Sequence, residues 1–219
     1  MSTILVTGGT GTLGRALVPR LAADGPEVRV LSRRPRPPSA QPHTWFTGDL
    51  RRNEGIEEAV AGADVIVHCA TAARGDERAA RNLIVAARRV GAPHLVYISI
   101  VGVDRVPLGY YRTKLRTERR ISQSGLSWTV LRTTQFHDLI LLACTALARP
   151  PVMLVPAGTS FQPLDVTEVA ERLAEASGRH ATKDVFGRAS LMPSRAPRLP
   201  RPGRRRSDGL RPRAEAPGT

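Results

Sequence analysis

The sequence predicts an α/β protein built on a doubly wound parallel sheet, and three observations predict it. Short apolar runs alternate with stretches of helical spacing through the first 177 of the 219 residues. The runs lack polar alternation, as strands covered on both faces require. The first run leads straight into a glycine-rich turn and then a helix, the opening of a crossover unit.

The elements follow in order. Thr3 to Thr7 (TILVT) reads as a buried strand, and Leu13 to Ala23 has helical spacing with Gly25 as its stop. Val28 to Ser32 is a second strand, followed by the proline-rich loop RRPRPPSAQP, and Trp45 to Thr47 is a weak third. Ile56 to Ala61 is a short helix, Asp64 to Ala70 (DVIVHCA) a fourth strand, and Glu77 to Val90 a helix with a mixed polar face. His94 to Ser99 (HLVYIS) is a fifth strand, Tyr110 to Ser124 a charge-rich helix, and Trp128 to Arg132 a sixth strand. Phe136 to Ala148 has helical spacing and Val152 to Val155 that of a strand. Val166 to Ala176 forms a last helix behind Asp165, a good N-cap residue.

Composition bounds the function. At 41% hydrophobic residues the chain can build a core, which excludes wholesale disorder. The longest apolar stretch, Leu139 to Ala148, is about half of the ~20 residues that cross a bilayer, so no membrane partner is expected. The first residues, MSTILVTGGTGT, resemble no secretion signal, and Cys69 and Cys144 form neither a CxxC pair nor a metal-ligand set. A reduced, cytoplasmic protein without a metal is the expectation. The net charge of +14 is concentrated late: residues 178–219 hold eleven Lys and Arg against three Asp and Glu, with six prolines. They read as a disordered basic tail after a domain of residues 1–177. Phe186 is the tail's sole aromatic residue, so bases have little to stack on, and nucleic acid is not the expected partner.

The strongest local signal is Thr7-Gly8-Gly9-Thr10-Gly11-Thr12-Leu13-Gly14, placed between the first strand and the first helix. Gly8 permits the tight turn, Gly11 the approach of backbone to a pyrophosphate, and Gly14 close packing of helix on strand. The helix N-terminus supplies unpaired N–H groups to phosphates. Gly8, Thr10, Gly11, Thr12, Leu13 and Gly14 are therefore candidate dinucleotide-binding residues. At the end of the second strand stands Ser32-Arg33-Arg34, with no Asp or Glu between Glu27 and Asp49. An acidic residue there holds the ribose 2′-OH of NAD, whereas an arginine can bind a 2′-phosphate. Ser32 and Arg33 thus favour NADP over NAD.

Tyr110 and Lys114 form a YxxxK pair on one face of a helix, in a chain with only two lysines. A lysine beside a phenol can lower its pKa from ~10 toward neutrality, as a general acid needs. Tyr111 lies about 100° around the helix and should face elsewhere. His68 and Cys69, adjacent on a strand, point to opposite faces and read as core residues. His137 and Asp138 fit structural roles at a helix start.

With these motifs the chain resembles the short-chain dehydrogenase/reductase superfamily, in its atypical NmrA-like or NAD(P)H-binding branch. The resemblance covers residues 1 to about 177 through VTGGTGTLG, Gly48-Asp49-Leu50, HCAT, YISIVG, YYRTKLRTE and LRTTQFHD. It implies a Rossmann-like doubly wound sheet, with Asp49 and Leu50 by the adenine and Ala70 and Thr71 along the nicotinamide ribose. It further implies Ser99 as the residue that orients substrate, with Tyr110 and Lys114 as the catalytic pair and Lys114 also on the ribose. Two features depart from the family: Ser99 precedes Tyr110 by only eleven positions, and Thr133-Thr134-Gln135-Phe136 stands where relatives carry a proline-containing turn. After AERLAEAS the basic tail replaces the elements that cover the family's substrate pocket, which reads as a divergent or truncated ending. The implied function is NADP-dependent hydride transfer to or from a carbonyl or quinone-like small molecule. The alternative is a non-catalytic NADP-binding redox sensor. The Tyr110 helix and the helix after Phe136 are candidate homodimer faces.

Overall fold

The computed structural model describes residues 2–36, 43–72, 75–137, 140–141, 144–145, 148–149 and 162–178. Among them six strands, β1 (Thr3–Thr7), β2 (Glu27–Ser32), β3 (Thr44–Thr47), β4 (Val65–His68), β5 (His94–Ile100) and β6 (Trp128–Thr133), form one sheet. Their order is β3-β2-β1-β4-β5-β6, and every pairing is parallel. The helices are α1 (Thr12–Ala23), α2 (Ile56–Val60), α3 (Asp76–Arg89), α4 (Gly109–Ser122) and α5 (Val166–Gly178). This is the Rossmann-like doubly wound architecture that the alternation of segments predicts.

Register explains why the strand runs are apolar throughout. Leu5 pairs with Ile66 and Ile66 with Leu95, a row that packs with α2, α3 and α4 in one core cluster. One residue along, Val6, Val67 and Val96 form a row on the other face, the side of α1 and α5. Helices α1 and α5 pack on each other, and their Leu17, Leu21, Val169 and Leu173 are essentially sealed from water. Burying each such side chain contributes about 1.5–3 kcal/mol.

The next row toward the C-terminal edge changes character. Thr7, His68 and Tyr97 are in register and all buried, so polar groups replace apolar ones at the strand ends. The strand order reverses between β1 and β4, which is where an open α/β sheet leaves a crevice for a ligand.

Element ends differ modestly from the sequence reading. Strand β4 stops at His68 rather than Ala70, leaving Ala70 and Thr71 in the loop beyond it. Helix α5 runs on to Gly178, and the Asp165 carboxylate caps it by accepting the Thr167 N–H at 2.7 Å. Between Phe136 and Ala148, residues 137, 140–141 and 144–145 are helical. Leu164 accepts the His137 N–H and donates its own to Gln135, tying the end of β6 to the start of α5. Asp138, the strand expected at Val152 to Val155 and the basic stretch from 179 lie outside the described residues.

Candidate functional site

Strand β1 delivers Thr7 to a turn that only glycines can make. Gly8 has a φ of +76°, and a Cβ there would lie 2.6 Å from the Ala70 nitrogen beyond β4. At Gly14 a Cβ would run into the Gly8 carbonyl and the Gly9 Cα. Gly11 is less crowded: its N–H donates to Gly8 O at 2.9 Å, and a Cβ would meet only that carbonyl at 3.3 Å. Gly11 is also the N-cap of α1 and has no side chain to satisfy the first-turn N–H groups. Leu13 and Gly14 are buried, while Thr10, Gly11 and Thr12 border solvent. Such a close-walled loop with free donors and a positive helix end fits a pyrophosphate.

The neighbouring strand ends frame this loop. The Ser32 hydroxyl is buried and accepts the Arg34 N–H at 3.1 Å, so it shapes the turn after β2. Arg33 is exposed just beyond, with no ion pair among the described residues. The Asp49 carboxylate accepts the Arg51 N–H at 2.7 Å, and Leu50 is buried in the core cluster. Asn82 of α3 donates to Leu50 O at 2.7 Å, clamping this loop from below. Sequence reasoning passed over Asn82, because an asparagine inside a helix carries no local sign of its partner.

A cluster of polar side chains gathers past β4. Thr71 Oγ1 lies 3.0 Å from Tyr110 Oη and 2.7 Å from Asp76 Oδ2. Lys114 Nζ sits 3.8 Å from Asp76 Oδ2, donates to Ile98 O at 3.4 Å, and lies over the rings of Tyr97 and Tyr110 at 4.9 and 5.8 Å. Tyr110 is 39% exposed, whereas Lys114 and Asp76 are sealed from water. The YxxxK pair thus shares one face as expected, and Tyr111 turns away to accept a hydrogen bond from Gln135 at 2.7 Å.

The expected electrostatics of that pair do not hold. Burial pushes the Tyr110 phenol above its ordinary range instead of lowering it; a hydrogen bond donated by Thr71 would act the other way, and Asp76 and Tyr111 add to the rise. Burial also pushes the Lys114 ammonium down, against the pull of Asp76, Cys69 and Glu118. Burial is the main cause, and beside it the lysine's charge is paired with the buried carboxylate of Asp76. That residue escaped the sequence reading, since an acid in a helix's first turn looks like a dipole partner.

Ser99 lies on β5, two residues beyond Tyr97, with 2% of its surface exposed. Its hydroxyl makes no hydrogen bond among the described residues and so is not joined to Tyr110. An unpaired buried hydroxyl costs free energy unless a ligand satisfies it. His68 and Cys69 are core residues. His68 Nδ1 meets Thr7 Oγ1 at 2.7 Å and its ring stacks on Tyr97 at 5.5 Å. Burial, reinforced by Lys114, holds the imidazole neutral with its pKa at about 3, and burial pushes the Cys69 thiol up to about 12. His137 is exposed and tied by its backbone to Leu164.

Residues 8–139 match the NAD(P)H-binding family. The chain belongs to the NAD(P)H-binding family. Photosystem II assembly factor Ycf39 of Cyanophora paradoxa is 29% identical over 184 residues, which are 76% of this chain and 56% of that protein. The (4-alkanoyl-5-oxo-2,5-dihydrofuran-3-yl)methyl phosphate reductase of Streptomyces griseus subsp. griseus is 33% identical over 180 residues, 76% of this chain and 61% of its own length. Among solved structures, the NADPH complex of the NADPH-dependent quinone oxidoreductase QOR2 from Escherichia coli superposes with a TM-score of 0.71 at 24% identity. It covers 81% of this chain and 65% of that one, and the likeness is one of fold. This NAD(P)H-binding chain therefore spans less than two thirds of each of these proteins. Among its described residues no helix is long and apolar enough to cross a membrane.

Membership in the NAD(P)H-binding family accords with the glycine loop, which lies inside the matched residues. The polar cluster at Thr71, Tyr110 and Lys114 falls within the same match, and Gly8 packs directly against Ala70, next to Thr71.

Proposed function

We propose that the chain is an NADPH-dependent reductase of a carbonyl or quinone-like small molecule, with Tyr110 as the proton donor. The observation that carries this reading is the cluster of Thr71, Tyr110 and Lys114 beside the glycine loop, where Gly8 and Ala70 are in backbone contact. When bound, the reduced nicotinamide supplies the hydride. The residues of this chain do the rest. Gly8, Thr10, Gly11, Thr12, Leu13 and Gly14 hold the pyrophosphate on the first turn of α1, and Asp49 and Leu50 border the adenine. Arg33 binds the 2′-phosphate, an assignment supported by the lack of an acidic side chain from Ser32 to Leu50 other than Asp49. Ala70 and Thr71 flank the ribose on the nicotinamide side, and Lys114 lies behind it. Tyr110, partly open to solvent, gives its proton to the substrate oxygen and is refilled from water. Ser99 completes the site when its unpaired hydroxyl meets the substrate oxygen.

The test is oxidation of NADPH against a panel of quinones, aldehydes and ketones, followed by the absorbance of the reduced nicotinamide. Turnover of at least one class supports the reading, and binding of NADPH without turnover of any class overturns it.

A second reading is favoured by one observation, the similarity to a protein named as an assembly factor. On that reading the chain binds NADPH without turning it over and reports redox state to a partner. Retained NADPH binding, no turnover, and no loss of function in Tyr110→Phe would be its signature.

A further inference from the structure

The hydrogen bonds around Thr71 have a definite polarity. Thr71 Oγ1 carries one hydrogen and stands 2.7 Å from Asp76 Oδ2 and 3.0 Å from Tyr110 Oη. A carboxylate only accepts, so the Thr71 hydrogen goes to Asp76. Tyr110 must then donate to Thr71. The carboxylate is held for this purpose: its other oxygen accepts the Ala72 N–H at 2.6 Å, and Lys114 Nζ lies 3.8 Å from Oδ2. It also sits in the first turn of α3, where the helix end favours a negative charge.

We propose that Asp76 is a positioning residue that fixes the Thr71 hydroxyl as an acceptor and thereby keeps Tyr110 in its protonated, proton-donating form. The site is on this account biased toward reducing a carbonyl rather than oxidising an alcohol. The inference rests on the reading of Tyr110 as the proton donor, and it names the residue that keeps Tyr110 in that role. The charged and titratable groups around Tyr110 agree with it. Asp76 and Tyr111 oppose a phenolate, and among the described residues the nearby cation Lys114 is 5.8 Å from the ring and paired with Asp76. Arg51 packs against Gly75 at the start of α3 and forms no ion pair with Asp76 among the described residues. Once Tyr110 has given up its proton, the phenolate finds the Thr71 hydrogen committed to Asp76, so uptake of a proton from water is favoured.

Replacing the carboxylate by an amide reverses the polarity. With the Oδ1 of Asp76→Asn kept on the Ala72 N–H, the new NH2 donates to Thr71, whose single hydrogen then turns to Tyr110 and stabilises the phenolate. The experiment is an ultraviolet titration of tyrosinate in the full chain, with Tyr110→Phe assigning the Tyr110 midpoint against Tyr97 and Tyr111. Asp76→Asn is expected to lower that midpoint by one pH unit or more. Thr71→Val, which deletes the acceptor, is expected to lower it as well, and in that background Asp76→Asn should shift it by less than half as much. An unmoved or raised midpoint in Asp76→Asn, a raised midpoint in Thr71→Val, or an undiminished shift in the double variant would each overturn the proposal. Thr71→Val alone decides the sign if Asp76→Asn does not fold. The titration needs neither cofactor nor turnover, so its outcome stands apart from the reductase assay above.

Discussion

Lys114 and Asp76 face each other at 3.8 Å with only 3% and 5% of their side chains exposed. Two opposite charges removed from water leave each dependent on the other. Removing one leaves an uncompensated buried charge, at a cost of about 3–5 kcal/mol, whereas replacing both by apolar groups is often close to neutral. Asp76→Ala should therefore lower unfolding stability by about that amount, and Lys114→Met in the same chain should restore part of it. Urea unfolding of the two single variants and the double variant gives the coupling; strictly additive losses would contradict a direct pair.

The glycines of the loop should separate by role. Gly14→Ala drives a Cβ into the Gly8 carbonyl and the Gly9 Cα, so it should destabilise the chain whether or not a cofactor is present. Gly11→Ala meets only one carbonyl at 3.3 Å and should fold, yet lose NADPH affinity by tenfold or more, about 1.4 kcal/mol. Thermal melts beside titration calorimetry distinguish the two, and equal affinity in Gly11→Ala would count against a pyrophosphate on this loop.

Arg33 is exposed just beyond β2 and forms no ion pair among the described residues. Arg33→Glu should weaken NADPH binding at least tenfold while leaving NADH within a few-fold, because a carboxylate repels a 2′-phosphate and accepts from a 2′-OH. Calorimetric titration with both nucleotides checks this. An unchanged ratio of the two affinities would remove Arg33 from the site.

His68 makes stability depend on pH. Its folded pKa of about 3 lies below the ordinary value, so the unfolded chain takes up a proton that the folded chain refuses. The contribution is fully present above about pH 6.5 and is lost as pH falls from there toward 3, at up to about 1.4 kcal/mol per pH unit. His68→Gln should show a flatter decline in denaturant midpoint across that window than the parent chain. Parallel declines would mean that His68 is protonated in the folded state.

The sheet was legible because its strands are buried on both faces: TILVT, VIVH and HLVYISI have no polar alternation to confuse with a surface strand. The glycine loop was legible because Gly8 and Gly14 answer local steric demands that only glycine meets. Tyr110 and Lys114 came together because a four-residue helical spacing is itself geometry. Asp76 and Asn82 were not legible, since what matters about them is a partner on another element: Lys114 on α4, and the carbonyl of Leu50. The sign of the Tyr110 shift was lost because it follows first from burial of the phenol, which no local pattern shows. A lysine nearby predicts a lowered phenol only while its charge is free, and here a buried carboxylate claims it. Likewise Glu118 binds Arg132 through two hydrogen bonds, at 3.0 and 2.6 Å, between α4 and β6, with no local pattern to announce it.

Everything proposed for this site turns on Tyr110 supplying the proton in an NADPH-dependent reduction. Its most direct test is steady-state reduction of the best carbonyl or quinone acceptor by the full chain and by Tyr110→Phe, with NADPH binding measured in parallel. A loss of kcat of about 10²–10⁴-fold with NADPH affinity unchanged is expected. Equal turnover by Tyr110→Phe would contradict it.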